Sequence, residues 1–362
     1  MTMKNITYYL GAGASYNSLP LGTEIKERLI AFKNYLSPNA GMSMKMQNQF
    51  SFVCVQEVME VIEVFDSYKS LDIYAQSLSL NLTDKNINKL KNLKRVLTLY
   101  FLYEQMLKKK TSRFYSDAIF PDLLPPQKKA FDNIMHNKII TSIDPRYRMF
   151  LAHYIDKKSR KFPNNIRIIT WNYDLQIELA YQEIYEELSL QAIQQNLLVY
   201  PSPLLSINTN LSCLLKLNGT AGLMDRKGDL SFNLLEKNTY NMLEELDRMI
   251  SLFDHTQNFF NADPLLHFAW ENNEIVDKCR NYATNVIAET DTLVVIGYSF
   301  PLLNKEIDKE VLSNYGSIKK IYYQLPSQDA TLCVERLKAL IPDYDGSLEI
   351  ITETDEFYFP PS

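Results

Sequence analysis

Ile6-Thr7-Tyr8-Tyr9-Leu10-Gly11-Ala12-Gly13-Ala14-Ser15 is the stretch from which the rest of the chain is read. Its first five residues, apolar, aromatic or β-branched, have the character of a short strand covered on both faces. Two glycines one residue apart then make a tight turn. A strand, a glycine turn and a helix start are the parts that hold a phosphate against backbone N–H groups. They serve equally as a plain strand-to-helix turn with no ligand. The nicotinamide dehydrogenase layout fails, because it needs a third glycine where Tyr16 stands and, about twenty residues on, a second strand ending in an acidic residue. Here Glu24 to Phe32 continues as helix and Pro38-Asn39-Ala40-Gly41 reads as a turn.

Outward from this stretch, runs of the same character recur at Ile166 to Thr170, Cys213 to Leu217, Thr292 to Ile296, Ile318 to Tyr323 and Leu348 to Thr352. They predict a parallel sheet. Between the first two runs apolar residues recur at helical spacing, as in Val55, Val58, Met59, Ile62 and Phe65, or Leu93, Val96, Leu97, Tyr100, Phe101 and Met106. No glycine lies between Gly41 and Gly219. The expectation is an α/β fold, a Rossmann-like doubly wound parallel sheet with large α-helical insertions. Residues 1–34 and 161–362 form the core and 35–160 a helical insertion. A second helical insertion is expected at about 233–290, with Asn261-Ala262-Asp263-Pro264 as an N-cap and proline-started helix. Leu204 to Leu211 and Thr220 to Asp229 read as loops.

Composition narrows the function classes. The 362 residues carry 38 Lys+Arg against 43 Asp+Glu, a net charge of -5, so no global field draws nucleic acid or an anionic membrane. Cysteines at 54, 213, 279 and 333 and histidines at 136, 153, 255 and 267 show no zinc-binding spacing. Scattered thiols read as buried cysteines of a reducing cytosol. No run is long enough to span a membrane or serve as a signal segment, so the expected location is cytoplasmic.

Four strands deliver a glycine or a short polar group at their carboxyl ends, where open parallel sheets bind ligands. The first ends in Gly11 and Gly13, the second in Trp171-Asn172-Tyr173-Asp174, the third in Asn218-Gly219, and the fourth in Gly297-Tyr298-Ser299-Phe300-Pro301. Each has a plain alternative: Asp174 as a helix cap with Asn172 turning the chain, and Asn218-Gly219 as a common turn pair.

Taken together, Gly11 to Ser15, Thr170 to Asp174, Lys216-Leu217-Asn218-Gly219 and Ile296 to Pro301 resemble the sirtuin-like domains of bacteria, in particular the branch of antiphage defence systems whose members hydrolyse NAD+. The resemblance covers the strands and their loops, about a third of the chain. It implies that Gly11, Ala12, Gly13 and Ser15 wrap the NAD+ pyrophosphate and that Asn172 is catalytic beside the nicotinamide ribose. It also implies that Asp174 faces the nicotinamide carboxamide and that Gly297 and Ser299 meet the phosphate and ribose on the adenosine side. At Lys216 to Gly219 the family carries histidine, and Asn218 stands in its place. An amide takes no proton, so base chemistry at that position is lost, although Asn218 can still bond the ribose hydroxyls beside Gly219. His153 and His267 are candidates to supply a base from elsewhere. The zinc-binding cysteines of the deacylases are absent.

The expected function is an NAD+ glycohydrolase that releases nicotinamide and ADP-ribose, with NAD+ as substrate and no metal. Unchecked hydrolysis would be toxic, so gating is expected, by homo-oligomerisation or by a separate sensor, ATPase or Argonaute-like subunit, without direct nucleic-acid or membrane binding. The rival is a catalytically silent NAD+ or ADP-ribose-binding subunit of a defence complex. A nuclease-type effector is disfavoured by the charge balance.

Overall fold

Strands form where the sequence supplies short apolar runs to be covered on both faces. A computed structural model describes residues 4–36, 49–106, 143–188, 190–201, 208, 210–224, 263–271 and 273–361. In chain order its strands are β1 (Ile6–Leu10), β2 (Ile166–Thr170), β3 (Val199–Tyr200), β4 (Leu214–Lys216), β5 (Gly219–Met224), β6 (Asp263–Leu266), β7 (Thr292–Ile296), β8 (Lys320–Gln324) and β9 (Ser347–Ile351). Seven form one sheet in the order β3-β4-β2-β1-β7-β8-β9, and all its pairings are parallel. Every residue of β1, β2 and β7 is buried. β1 sits at the centre, with Ile6 opposite both Ile166 and Thr292.

The chain divides into two compact units: one of Met1–Ser15, Pro145–Thr220 and His267–Ser362, the other of Tyr16–Asp144 and Ala221–Leu266. It therefore leaves or re-enters the sheet-bearing unit at four places: after Ser15, before Pro145, after Thr220 and before His267. The second unit contains α1 (Ile25–Leu36), α2 (Gln49–Ser67), α3 (Leu71–Ser79) and α4 (Asp84–Met106). Its core includes Leu29, Phe32, Val58, Val61, Leu93, Val96 and Tyr100; of the α2 residues expected on one face Val58 is buried, but Met59 is 43% exposed and Val61 takes the buried side instead. Among them Arg28 Nε donates to Glu104 Oε1 at 2.9 Å. Because α1 packs against α2, residues 16–34, expected in the core, group with the helices.

Flanking the sheet are α5 (Pro145–Tyr154), α6 (Gln176–Ile184), α7 (Leu190–Leu197), α8 (Glu274–Ala288), α9 (Lys305–Val311) and α10 (Ala330–Leu340). α5, expected in the insertion, packs against α6 and belongs to the sheet unit. α8 buries Val276, Cys279, Ala283, Val286 and Ile287 along one stripe, and the Asn273 side chain caps it by accepting the N–H of Ile275 at 2.9 Å.

Two expectations are corrected here. Asp263-Pro264 opens no helix: it begins β6, which pairs with β5 in a two-stranded ribbon, and proline is tolerated at the start of such an edge strand. The helix expected from there starts only at Glu274, so the interval 233–290 is not a helical insertion throughout. Likewise Thr220 to Met224, expected as loop, lies in β5. The turn at residues 38–41, residues 204–207 and 209 of one expected loop, and residues 225–262 lie outside the described residues. All four cysteines are free and buried, and burial pushes the Cys54 and Cys213 thiols up to about 12. Among the described residues no helix is long and apolar enough to cross a membrane.

Candidate functional site

Numbering only the six core strands in chain order, the sheet runs 3-2-1-4-5-6, the doubly wound arrangement whose strand order reverses between β1 and β7. Ligands of open α/β sheets bind outside the carboxyl ends at such a reversal. The first residues past the strands are laced across those ends. Gly11 N donates to Ile296 O at 3.0 Å, Trp171 N to Leu10 O at 3.0 Å, Leu217 N to Thr170 O at 2.9 Å, and Gly297 N to Gln324 O at 3.0 Å. The four motifs therefore sit side by side.

Two of the loops touch backbone to backbone. Gly13 N donates to Gly297 O at 2.9 Å. A Cβ on Gly13 would lie 2.7 Å from Gly297 Cα, and one on Gly297 would lie 2.4 Å from Gly13 C. Gly297 also has φ +59°, which favours glycine. These glycines thus have a packing reason of their own. Three of the loop amides already donate within the protein, since Ala14 N donates to Gly11 O at 2.9 Å besides the bonds of Gly11 and Gly13. Ala12 and Ser299 are the exposed points of the two loops. Next to Ser299, Phe300 holds φ +47°, a strained conformation for a bulky residue. Its buried ring stacks on Tyr9 with centroids 6.0 Å apart.

Behind the loops Arg146, fully buried in the first turn of α5, donates to Gly13 O at 3.0 Å and Ala14 O at 3.1 Å. A buried carboxyl lies on the opposite face of the sheet, since Tyr8 packs on Phe150 of α5 while Tyr9, the next residue of β1, reaches Asp308. Asp308 of α9 accepts from Tyr9 Oη at 2.7 Å and Tyr298 Oη at 2.8 Å, and Trp171 Nε1 donates to Tyr9 Oη at 2.9 Å. Burial pushes the Asp308 carboxyl up to about 7, against the two hydroxyls that favour its charged form.

Asn172 is fixed by its amide. Nδ2 donates to Gly11 O at 2.9 Å and to Ser15 Oγ at 3.3 Å. A carbonyl partner identifies this atom as the nitrogen, and with both hydrogens engaged the side chain offers Oδ1 as an acceptor. Ser15 Oγ in turn donates to Asp174 Oδ2 at 2.7 Å and lies 3.0 Å from Tyr147 Oη. Asp174 is buried, and its Oδ1 accepts the N–H of Gln176 at 3.1 Å. The carboxyl expected to face a carboxamide is thus turned inward, capping α6 and holding Ser15, which holds Asn172. Burial raises its pKa, opposed first by Lys216 and then by the Ser15 bond. Lys216 Nζ lies 2.6 Å from Asp174 O and 2.6 Å from Glu178 Oε1, and both Lys216 and Glu178 are almost fully buried.

Asn218 follows on the turn after β4, where Gly219 takes φ +73°. Its Nδ2 lies 3.5 Å from Tyr173 Oη, while Oδ1 is buried without a hydrogen-bond partner among the described residues. A buried acceptor with no donor is costly. His267 meets the same residue: its N–H donates to Asn218 O at 2.8 Å, and Tyr173 Oη donates to His267 O at 3.1 Å. His153 does not come to the strand ends. It is exposed at the last turn of α5, far along that helix from Arg146, with its ring 4.1 Å from that of Phe359.

Arg146, Tyr147 and Asp308 were not singled out by sequence reasoning. The one available signal for Arg146 was a charged residue on the otherwise apolar buried face of Tyr147, Phe150 and Leu151. Comparison with protein-family models gave no match, and comparison with curated proteins gave none.

Proposed function

We propose that the chain is a sirtuin-like NAD+ glycohydrolase, releasing nicotinamide and ADP-ribose. The observation that carries this reading is Asn172, held by Gly11 O and Ser15 Oγ so that an amide oxygen is offered at the strand-order reversal. Asn218 Oδ1, without a hydrogen-bond partner among the described residues, supports it as an acceptor for a ribose hydroxyl.

The chemistry suits such a site. Water attacks C1′ of the nicotinamide ribose, the C1′–N bond breaks, and its electron pair passes to the ring nitrogen, giving neutral nicotinamide. The leaving group needs no proton, and positive charge develops at the ribose, so positioning and electrostatics supply much of the rate. Asn172 Oδ1 accepts a hydrogen bond from the attacking water and orients it. Asp174 acts through Ser15 as a positioning residue. Ala12, Gly13, Gly297 and Ser299 approach the phosphates and the adenosine side from the two packed loops. The setting implied by the resemblance, antiphage defence with activity gated by a partner or by self-association, belongs to the same proposal.

The test is incubation of the purified chain with NAD+, alone and at raised protein concentration, with nicotinamide followed by chromatography. We expect release, and a loss on the order of a hundredfold or more in Asn172→Ala. Release unchanged in that variant would overturn the role of Asn172. Calorimetric NAD+ binding without turnover would select the silent-subunit reading, which the internally bonded loop amides and the proton-inert Asn218 favour.

A further inference from the structure

We infer that His267, beside Glu271, takes the proton that Asn218 cannot. This rests on the glycohydrolase reading and assigns the base it lacks. His267 is bound to residue 218 through its backbone at 2.8 Å, and Tyr173 Oη reaches both residues, 3.1 Å from His267 O and 3.5 Å from Asn218 Nδ2. The imidazole is largely but not wholly buried, with 14% of the side chain exposed, so it is reachable. Its Nδ1 lies 3.4 Å from Glu271 Oε2. A carboxylate on the Nδ1 side favours the proton on that nitrogen and Nε2 as the acceptor. Among the described residues Nε2 has no hydrogen-bond partner.

The segment is built to hold this geometry. Glu271 Oε2 also accepts the N–H of Phe268 at 3.0 Å. From α8, Arg280 donates to Ala269 O at 2.7 Å and to Glu271 O at 3.3 Å, and the same guanidinium pairs with Asp277. The Phe268 and Trp270 rings stack 5.5 Å apart and 3° from parallel. Among the described residues Glu271 stands directly beside His267, with Arg280 and Asp277 behind it, and Tyr173 is a neighbouring phenol.

In the step assigned, water adds to C1′ as the C1′–N bond breaks, the electron pair leaves on nicotinamide, and one water proton passes to His267 Nε2 and then to solvent. The products are nicotinamide, ADP-ribose and a proton. Glu271 is a positioning residue that keeps the Nδ1 proton in place.

The experiment measures nicotinamide release by the full chain against pH, for wild type, His267→Gln and Glu271→Gln, with circular dichroism and ADP-ribose binding as folding controls. We expect kcat in His267→Gln to fall on the order of a hundredfold or more with KM little changed. The dependence of the rate on pH should differ from wild type in the residual activity, and Glu271→Gln should give an intermediate loss. If His267→Gln does not fold, added imidazole should restore turnover to His267→Ala, and failure of that rescue overturns the proposal. Near-wild-type turnover with an unchanged pH profile in His267→Gln overturns this assignment alone. No release by wild type overturns the glycohydrolase reading and this one with it.

Discussion

Gly13 and Gly297 occupy positions where a single methyl group has nowhere to go. The atoms a Cβ would strike, 2.7 and 2.4 Å away, are backbone and cannot swing aside. At Gly297 the left-handed φ of +59° adds strain for any other residue, about 1 kcal/mol or more. Gly297→Ala should therefore lower unfolding stability by roughly 2–4 kcal/mol, read from the urea midpoint. Gly22 has open space around its Cβ position, and Gly22→Ala should change stability by no more than about 1 kcal/mol. Equal effects of the two would show that the loop contact is not what demands glycine. The same contact explains why these glycines were legible as special in the sequence but not for the right reason alone. A scarce glycine marks close approach, and the approaching atoms here include the protein's own. Asn172 was legible as a strand-end amide, whereas Asp174's inward turn was not, because it depends on Ser15, far away in sequence.

At the scale of elements, β4 and α6 are joined by the ion pair of Lys216 and Glu178, 2.6 Å apart and 2% and 1% exposed. Removing one partner strands a charge, which typically costs about 3–5 kcal/mol, whereas replacing both by apolar residues of similar size is often near neutral. Lys216→Met should therefore be strongly destabilising, and adding Glu178→Leu should recover much of the loss in a guanidinium titration. A double variant no more stable than the single would rule out the stranded carboxylate as the cause. β1, β2 and β7 were readable as elements because both their faces are buried and their sequences are short runs of apolar, aromatic and β-branched residues, interrupted only by Arg167 in β2. β5 and β6 were not. β5 contains two glycines and β6 a proline, so the pairing that makes them strands overrides their local preferences. His267 sits just past β6, so its meeting with Asn218 could not be read before that ribbon was known.

At the scale of the whole molecule, stability depends on a carboxyl far from the surface. Asp308 has a pKa of about 7 in the folded protein, raised by burial, against an ordinary aspartate value near 3.9 when unfolded. Between those values the folded chain holds a proton that the unfolded chain has released. Its contribution is thus full below about pH 4 and declines until about pH 7, by no more than about 4 kcal/mol. The stability advantage of wild type over Asp308→Asn should shrink between pH 5 and pH 7.5. The chain's two tryptophans, Trp171 and Trp270, both lie in the sheet-bearing unit, so their fluorescence reports that unit's unfolding. An advantage constant across this range would count against Asp308 as the titrating group.

The four crossings between the units fall after Ser15, before Pro145, after Thr220 and before His267. Each is within two residues of a group that shapes the candidate site: Ser15 itself, Arg146, Asn218 and His267. Thermodynamic reciprocity then sets a condition on any regulator that grips the inserted helices and acts by changing the affinity for the dinucleotide. On the proposed glycohydrolase reading the dinucleotide would change the affinity for that regulator by the same factor, and substrate concentration would then be an input to the regulator's own binding.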